Sequence, residues 1–237
     1  MPELKGKVAI VTGAAGNLGQ AVCQALAAEG ASIALLGHHA AALEAARAGL
    51  VGGENAAFTV DLIAPQGVEE AIAAVMARFG RIDILANVAG GFTMGPPLHE
   101  TPDADWDQML DLNARTVFNA CRAVIPHLLA AAGGGGIVNV AARAALKGQG
   151  HMAPYCAAKA VVIRLTESLA EEHRDAGIRV NCVLPGTLDT PQNRAAMPDA
   201  DPSRWVTTAA LADVILFLVS NAARAVSGAA IPVYGQS

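Results

Sequence analysis

Short apolar runs alternate with longer helical patterns along the chain, and this alternation restricts the possible fold more than any other feature. Seven runs of four to six residues are bounded mostly by Gly, Pro, Asp or Asn, as strands are; they lie at 8–11, 33–36, 57–60, 82–86, 137–140, 178–183 and 230–233. Alanine-rich helical patterns separate them, near 17–29, 40–50, 65–79, 103–131, 154–176 and 208–220. The alternation predicts an α/β fold: one doubly wound domain over residues 1–237, with a seven-stranded parallel sheet covered by helices on both faces.

Charge and residue content argue against several classes of function. A formal net charge of −5 disfavours nucleic acid or an anionic membrane as the main partner, and the apolar runs are too short to span a bilayer. The first residues lack the apolar stretch of a signal peptide, and the 4 cysteines show no C-x-x-C spacing. We therefore expect reduced thiols, a cytoplasmic location and no membrane association. Because the sequence has no H-E-x-x-H motif, we expect no metal site.

A glycine cluster follows the first predicted strand, at the end of the sheet where ligands of such folds bind. Gly13, Gly16 and Gly19 come directly after VAIVT. Glycines in this place let backbone amides approach a pyrophosphate, whose charge the following helix N-terminus favours. Asn17 within the cluster is expected to tolerate a left-handed backbone if the turn requires one. The cluster predicts a dinucleotide site.

The residues after the second predicted strand leave the choice of nucleotide open. A carboxylate there binds a ribose 2′-hydroxyl and repels a 2′-phosphate, but in this chain Gly37 is followed by His38 and His39. A histidine, with an unperturbed pKa of about 6.5, can carry charge beside a phosphate; two exposed loop histidines are the other interpretation. We expect NAD or NADP, with a lean towards NADP.

Tyr155 and Lys159 are four residues apart and share one face of the helix predicted after the fifth strand. A tyrosine with its usual pKa of about 10 is a poor base at neutral pH, and a neighbouring ammonium is expected to favour the phenolate. Tyr155 could then pass a proton to or from an alcohol oxygen while a nicotinamide cofactor carries the hydride.

Taken together, the motifs resemble the compact branch of the short-chain dehydrogenase/reductase (SDR) family over the whole chain. The matching segments are T-G-x-x-x-x-x-G at 12–19, N-V-A-G at 87–90, Asn113 in LDLNARTVFNA, Y-x-x-x-K at 155–159 and P-G-x-x-x-T at 185–190. The resemblance implies a Rossmann-type domain. It also implies an NAD(P)-dependent oxidoreductase that acts on a ketone or secondary alcohol.

The resemblance further assigns roles to individual residues. Tyr155, Lys159 and Asn113 are implied to be catalytic, with Asn113 holding a water in a proton relay to Lys159. Asn87 would stabilise the centre of the sheet, and Thr190 would reach the carboxamide of the nicotinamide. The implied cofactor-binding residues are Gly13, Gly16, Asn17, Leu18, Gly19, His38, Asp61, Leu62, Asn87, Ala89, Gly90, Tyr155, Lys159, Pro185, Gly186 and Thr190.

Two positions depart from the family pattern. Asn17 stands where glycine is usual, a modest change beside Gly16. The catalytic serine is usually found thirteen residues before the tyrosine, and that position is Ala142. The loss of one such hydrogen-bond donor costs roughly 2.7–4 kcal/mol, or about 10²–10³ in rate, when nothing replaces it.

Several groups could replace the serine hydroxyl. Arg143 could donate to the substrate, and a surface ion pair is its alternative interpretation. His151 could face the pocket, although an exposed loop histidine is more common. A bound water or a substrate hydroxyl could also serve.

The substrate side is indicated only in outline. By resemblance, residues 187–205 would form a lid, with Phe92 and Met94 on the opposite side of the substrate. A fairly small, partly apolar ketone or secondary alcohol fits these residues. Helices that are apolar on more than one face need cover from elsewhere, and with the family resemblance they indicate a homotetramer built as a dimer of dimers.

Two hypotheses from different classes follow. The first is an oxidoreductase in which Tyr155 is the general acid/base. The second is a cofactor-binding sensor or partner subunit with little turnover, which Ala142 favours. A non-redox lyase or epimerase is a third and weaker interpretation.

Overall fold

The computed structural model describes residues 4–131 and 134–236, so the ends of the predicted domain and residues 132–133 lie outside the described residues. Within these ranges, seven parallel strands form one sheet in the order β3-β2-β1-β4-β5-β6-β9, and β7 and β8 form a separate pair. The strands are β1 Val8–Thr12, β2 Ser32–Gly37, β3 Asn55–Thr59, β4 Ile84–Asn87, β5 Gly135–Val140, β6 Ile178–Pro185, β7 Leu188–Asp189, β8 Val206–Thr207 and β9 Ala230–Val233. The predicted seven-stranded α/β fold is confirmed.

Helices cover both faces of this sheet because successive strand side chains point in opposite directions. Ile10 and Ile137 pack into a cluster with α3, α5 and α6, whereas Val11 and Val138 pack into a second cluster with α1, α2 and α8. The helices are α1 Asn17–Ala28, α2 Ala40–Ala48, α3 Pro65–Phe79, α4 Asp103–Leu110, α5 Thr116–Ala130, α6 Ala153–Glu172, α7 Pro191–Ala196 and α8 Thr208–Val219. In residues 4–131 and 134–236, no helix is both long enough and apolar enough to cross a membrane.

Three elements differ from the sequence-based boundaries. The helix expected over 103–131 contains a wide turn at Asp111–Arg115, in which the Thr116 amide donates to the carbonyl of Asp111, five residues back. The helix expected to reach residue 176 ends at Glu172, and a short 3-10 turn, Arg174–Ala176, leads to a left-handed Gly177. Residues 187–205 contain β7 and α7 rather than a plain loop.

The strand order and register determine where the candidate ligand site lies. The sheet grows in one direction from β1 through β2 and in the other from β1 through β4, and ligands of such sheets bind at that switch point. Thr12 lies beside Asn87 across β1 and β4, so both strands end at the same height. The Thr12 hydroxyl then accepts hydrogen bonds from the amides of Val88 and Ala89, at 3.0 and 3.1 Å, and fixes the turn after β4.

Candidate active site

A cleft of about 1250 Å³ opens at the carboxyl ends of the strands. The predicted site residues line it, with two exceptions, Asn87 and His151. The lining residues among those predicted are Gly13, Gly16, Asn17, Leu18, Gly19, His38, Asp61, Leu62, Ala89, Gly90, Phe92, Met94, Asn113, Ala142, Arg143, Tyr155, Lys159, Pro185, Gly186 and Thr190.

The two exceptions lie beside the cleft. Asn87 is buried under its floor, where its amide donates to the Asn139 side chain at 2.9 Å, and Asn139 in turn donates to Thr166 at 2.9 Å. His151 is exposed on the loop before α6, with a positive φ of 64°. Its carbonyl oxygen accepts from the Gly95 amide at 2.9 Å, so it joins two loops at the rim. The exposed-loop interpretation of His151 therefore agrees with its position.

The glycine turn between β1 and α1 fits a pyrophosphate. Gly13 adopts a φ of 65°, and a Cβ there would lie 2.8 Å from the Ala89 Cα. A Cβ on Gly19 would collide with the Gly13 carbonyl oxygen, so this glycine allows the helix to pack against the turn. Gly16 is the N-cap of α1 and has no side chain to occupy the free amides of the first helical turn, which contains no acidic residue. These amides are suited to an anionic ligand.

The turn does not require a left-handed backbone at Asn17. Asn17 is the first residue of α1, and Gly13 instead supplies the positive φ of this turn. The Asn17 side chain points to the lid segment, where its amide donates to the Gln192 side chain at 2.7 Å. The Asn17 side chain therefore links α1 to α7.

The opposite end of the cleft follows β2 and β3. The rings of His38 and His39 lie 4.0 Å apart between their centroids, and both residues line the cleft just before α2. Beside them, the Asn119 side chain donates to the carbonyls of Leu62 and Ile63, each at 3.0 Å. The backbone that would flank an adenine is therefore fixed by α5, whereas the two imidazoles border the open cleft.

Burial shifts the pKa values of both members of the Tyr–Lys pair towards their neutral forms. Lys159 is only 5% exposed, and burial lowers its pKa to about 8. Burial also raises the pKa of Tyr155 to about 12, with a smaller contribution from neighbouring Cys156. The expected lowering of the tyrosine pKa by a nearby ammonium is therefore wrong for the protein alone. The ammonium lies 5.9 Å from the centre of the Tyr155 ring and donates to the Val140 carbonyl at 2.9 Å.

Asn113 lies inside the wide turn between α4 and α5 and holds the loop after β4. Its side-chain oxygen accepts from the Gly91 amide at 3.1 Å, and its amide donates to the carbonyls of Gly91 and Met109, both at 3.0 Å. A Cβ on Gly90 would lie 2.8 Å from the Asn113 side-chain oxygen and 3.2 Å from the Lys159 nitrogen. The wide turn thus brings Asn113 and Lys159 together at Gly90. Turns of this kind are frequent at functional sites.

Ala142 is buried in an apolar wall beside the tyrosine. It forms a small cluster with Ala144 and Cys156, against which Met152 and Tyr155 pack. Arg143 follows Ala142 but is exposed, and its guanidinium carbon lies 5.5 Å from the ring centre of Tyr234. The side of the tyrosine at Ala142 is therefore lined by methyl and thioether groups, with the Cys156 thiol packed against them.

Sequence reasoning missed several lining residues. Met152 precedes Tyr155 by three residues, so helical spacing could have identified it. Gln149 lies on the loop before α6, where no periodicity indicates which side chains face inward. Leu112, Thr116 and Ala144 were also missed, whereas the lining residues Thr187, Leu188, Asn193 and Met197 fall within the predicted lid, 187–205.

No group of three or more His, Cys, Asp or Glu side chains in the described part of the chain is arranged to bind a metal ion.

Sequence and structure comparisons agree with this geometry. The family model described as short chain dehydrogenase matches residues 7–201. A D-threitol dehydrogenase from Mycolicibacterium smegmatis is 37% identical over 244 residues, which cover 98% of this chain and 93% of that protein. The crystal structure of an NAD+-bound xylitol dehydrogenase matches with a TM-score of 0.90 and 30% identity, over 98% of this chain and 99% of the other.

A second solved structure, carveol dehydrogenase from Mycobacterium avium in complex with NAD, matches with a TM-score of 0.90 and 28% identity over 99% of this chain and 98% of the other. The two NAD complexes support a nicotinamide cofactor in the cleft. From the family match and the site geometry, we conclude that the chain belongs to the short-chain dehydrogenase family.

Proposed function

We propose that the chain is an NAD(P)-dependent oxidoreductase that interconverts a secondary alcohol and its ketone, with Tyr155 as the general acid/base. The observation that carries this proposal is the convergence of Tyr155, Lys159 and Asn113 in the cleft that begins at the glycine turn. A protein that only bound the cofactor would not need a phenol beside a buried lysine. The known relatives are named as dehydrogenases of alcohols, in agreement with this reaction class.

The cofactor would be held along the length of the cleft. The amides of Gly16, Asn17 and Leu18 would bind its pyrophosphate, Asp61 and Leu62 would flank the adenine, and Thr190 would reach the carboxamide. Further contacts would come from Ala89, Gly90, Pro185 and Gly186. When bound, the nicotinamide supplies hydride acceptance and donation.

The protein's own contribution is to manage one proton. The Tyr155 phenol donates its proton to the carbonyl oxygen during reduction, and the Tyr155 phenolate accepts the alcohol proton during oxidation. Lys159 would hydrogen-bond the nicotinamide ribose and, when protonated, would favour the phenolate. Asn113 fixes the loop at Gly91 and would hold a water that relays the proton to Lys159.

The nucleotide preference leans towards NADP. The residue after Gly37 is His38 rather than a carboxylate, so the ribose end of the cleft has no negative side chain at the place that excludes a 2′-phosphate. A protonated His38 or His39 would attract that phosphate. NAD is also accommodated, as the bound ligands of the solved relatives suggest.

A cofactor-binding sensor or partner subunit is the second candidate, and the buried Ala142 favours it. The missing hydroxyl lowers the expected rate by about 10²–10³. Retention of Tyr155 and Lys159 argues for the enzyme, because neither is needed to bind a pyrophosphate.

The test is nicotinamide absorbance with purified protein, both cofactors in both redox states, and a panel of ketones and secondary alcohols. We expect turnover that falls by about 10³–10⁴ in Tyr155→Phe, the upper part of the range for general acid–base catalysis, while the Kd of the cofactor stays within about two-fold. Cofactor binding without turnover of any substrate would favour the sensor.

We also propose how the chain is organised and where it works. It acts as a single domain, with residues 187–205 as the lid over the substrate. Exposed Trp106, Phe118 and Val161 on α4, α5 and α6 would be covered in a homotetramer. The four cysteines are buried and free, as is usual for proteins of a reducing cytoplasm.

A further inference from the structure

We infer that the substrate is an apolar secondary alcohol, or its ketone, without a second hydroxyl next to the reacting carbon. The inference rests on the proposed oxidoreductase function and narrows it to a substrate class. It comes from the surface around Tyr155, where almost every group that a substrate would touch is apolar.

The inner wall of the pocket offers no strong hydrogen bond to a neighbouring hydroxyl. Ala142, Ala144 and Cys156 are each at most 9% exposed and pack together, with Met152 and Tyr155 against them. A hydroxyl group buried against methyl and thioether groups loses its water without gaining a partner, and this opposes binding. The Tyr155 hydroxyl can serve the reacting oxygen but not a second one.

The polar side chains next to this wall already have partners. The Asn113 amide is bonded to Gly91 and Met109, and the Lys159 ammonium donates to Val140. The Asn193 amide donates to the Leu188 carbonyl at 2.8 Å. The Lys159 ammonium has two further protons, which the proposed ribose and water contacts would use, so the additional hydroxyl of a polyol would compete with contacts of the cofactor site.

The outer rim continues the apolar surface. Phe92 is 52% exposed and Met94 60% exposed, and the Phe92 ring meets the Tyr155 ring edge-on with 5.0 Å between centroids. Leu188 and Met197 line the lid side. Apolar side chains therefore lie both at the rim and on the lid side of the cleft. A ring or alkyl chain on the substrate would bury them.

Further polar side chains line the cleft outside the wall formed by Ala142, Ala144 and Met152. Gln149 and Thr187 line the cleft, and exposed Arg143 packs near Tyr234. A polar substituent distant from the reacting carbon is therefore compatible with the pocket. An adjacent one is not.

A matched pair of alcohols tests the inference. Cyclohexanol and 1,2-cyclohexanediol differ by one hydroxyl on the neighbouring carbon, and we expect kcat/KM to favour cyclohexanol by about 10–10²-fold, the range in which an apolar pocket rejects an added hydroxyl. Met152→Gln should bring the ratio of the two kcat/KM values closer to one, because the glutamine amide can hydrogen-bond the second hydroxyl of the diol. Val51→Ala, at an exposed position on a remote loop, should leave the ratio unchanged.

A binding measurement separates this inference from the proposed function. Titration calorimetry of NAD+-loaded Tyr155→Phe with each alcohol should show the same preference for cyclohexanol without turnover. If neither alcohol is oxidised by the unaltered protein but cyclohexanol still binds more tightly, the proposed function falls and the inference stands. Equal binding, tighter binding of the diol, or no binding of cyclohexanol up to its solubility limit would each overturn the inference.

Discussion

The Asn17 side-chain amide donates a 2.7 Å hydrogen bond to the side-chain oxygen of Gln192, which is 175 residues later in the chain. Asn17 begins α1 beside the glycine turn, and Gln192 lies in α7 within the lid segment. The contact therefore joins the proposed pyrophosphate site to the proposed substrate cover.

We expect this contact to slow cofactor release. Its removal in Asn17→Ala should raise the NADH dissociation rate by about 2- to 10-fold, since a hydrogen bond between neutral groups contributes about 0.5–1.5 kcal/mol. Stopped-flow fluorescence of NADH gives this rate directly. Gln192→Ala should have a similar effect, and the double variant should be no faster than either single variant.

The double-mutant cycle also supplies the control. Gln20→Ala removes a neighbouring exposed side chain, which donates to the Ala15 carbonyl, and should leave the rate unchanged. Additive effects of the Asn17 and Gln192 substitutions would show that the two side chains act independently, contrary to this prediction.

The titration of Tyr155 should be unusually alkaline in the protein without cofactor. The chain has 2 tyrosines, so Tyr234→Phe leaves Tyr155 as the only phenol to be followed by tyrosinate absorbance after rapid pH jumps. Its pKa of about 12 predicts that the phenol stays protonated at pH 10. Addition of NAD+ should lower the midpoint, because a nearby positive charge favours the phenolate. A midpoint at or below pH 10 without cofactor would contradict the prediction.

Burial of Lys159 should cost stability in the absence of ligand. Burial lowers its pKa from 10.5 to about 8, so between these values the unfolded chain holds more protons than the folded one and stability rises with pH. Below pH 8 the buried charge lowers the free energy of unfolding by its full amount, about 3 kcal/mol. Lys159→Met removes it and loses one hydrogen bond of about 1 kcal/mol, so we expect a gain of about 2 kcal/mol at pH 7.

Urea unfolding at pH 7 and at pH 10.5 measures this gain, which should disappear at the higher pH. Lys147→Met, at an exposed lysine of the loop before α6, is the matched control and should change stability at neither pH. A loss of stability in Lys159→Met at pH 7 would mean that the hydrogen bond to Val140 outweighs the cost of the buried charge.

Local patterns were sufficient for the fold and for the part of the site that lies close in sequence. Alternating strands and helices fix a parallel sheet, and the ends of parallel strands meet at one edge. The glycines at 13, 16 and 19 and the i, i+4 spacing of Tyr155 and Lys159 therefore fall in one cleft. Strand and helix identities followed from periodicity, whereas boundaries shifted by a few residues because caps and turns depend on local contacts.

Properties that depend on distant packing could not be predicted. The direction of the Tyr155 pKa shift is set by burial, which sequence spacing does not reveal. The wide turn at Asp111–Arg115 lets Asn113 bond to Gly91, a contact between residues 22 apart. The partner of Asn17 is likewise remote, so its side chain was assigned to the turn rather than to the lid.

The residue after β2 should set the preference between NADP and NAD. His38 lines the cleft just before α2, at the place where a carboxylate would repel a 2′-phosphate. We expect the Kd of NADP to be no higher than that of NAD. Equilibrium fluorescence titration of the reduced cofactors measures both.

A charge substitution at this position sharpens the test. His38→Asp should weaken NADP binding by at least ten-fold while NAD binding is retained, because a carboxylate repels the 2′-phosphate. Glu44 and Arg47 on α2 pair with each other, so their charges largely offset. Equal loss of NAD and NADP binding in His38→Asp would assign His38 a structural role instead.

Ala142→Ser decides how the missing hydroxyl is compensated. The new hydroxyl would lie in the wall that packs on Tyr155, from where it can donate to the substrate oxygen beside the phenol. We expect kcat for simple ketones to rise by about 10- to 100-fold, part of the 10²–10³ attributed to one such donor, and Ala142→Gly, which adds no donor, should not reproduce the gain. A fall in kcat would mean that the pocket is built around alanine, so that a substrate hydroxyl or a bound water already occupies the place of the serine.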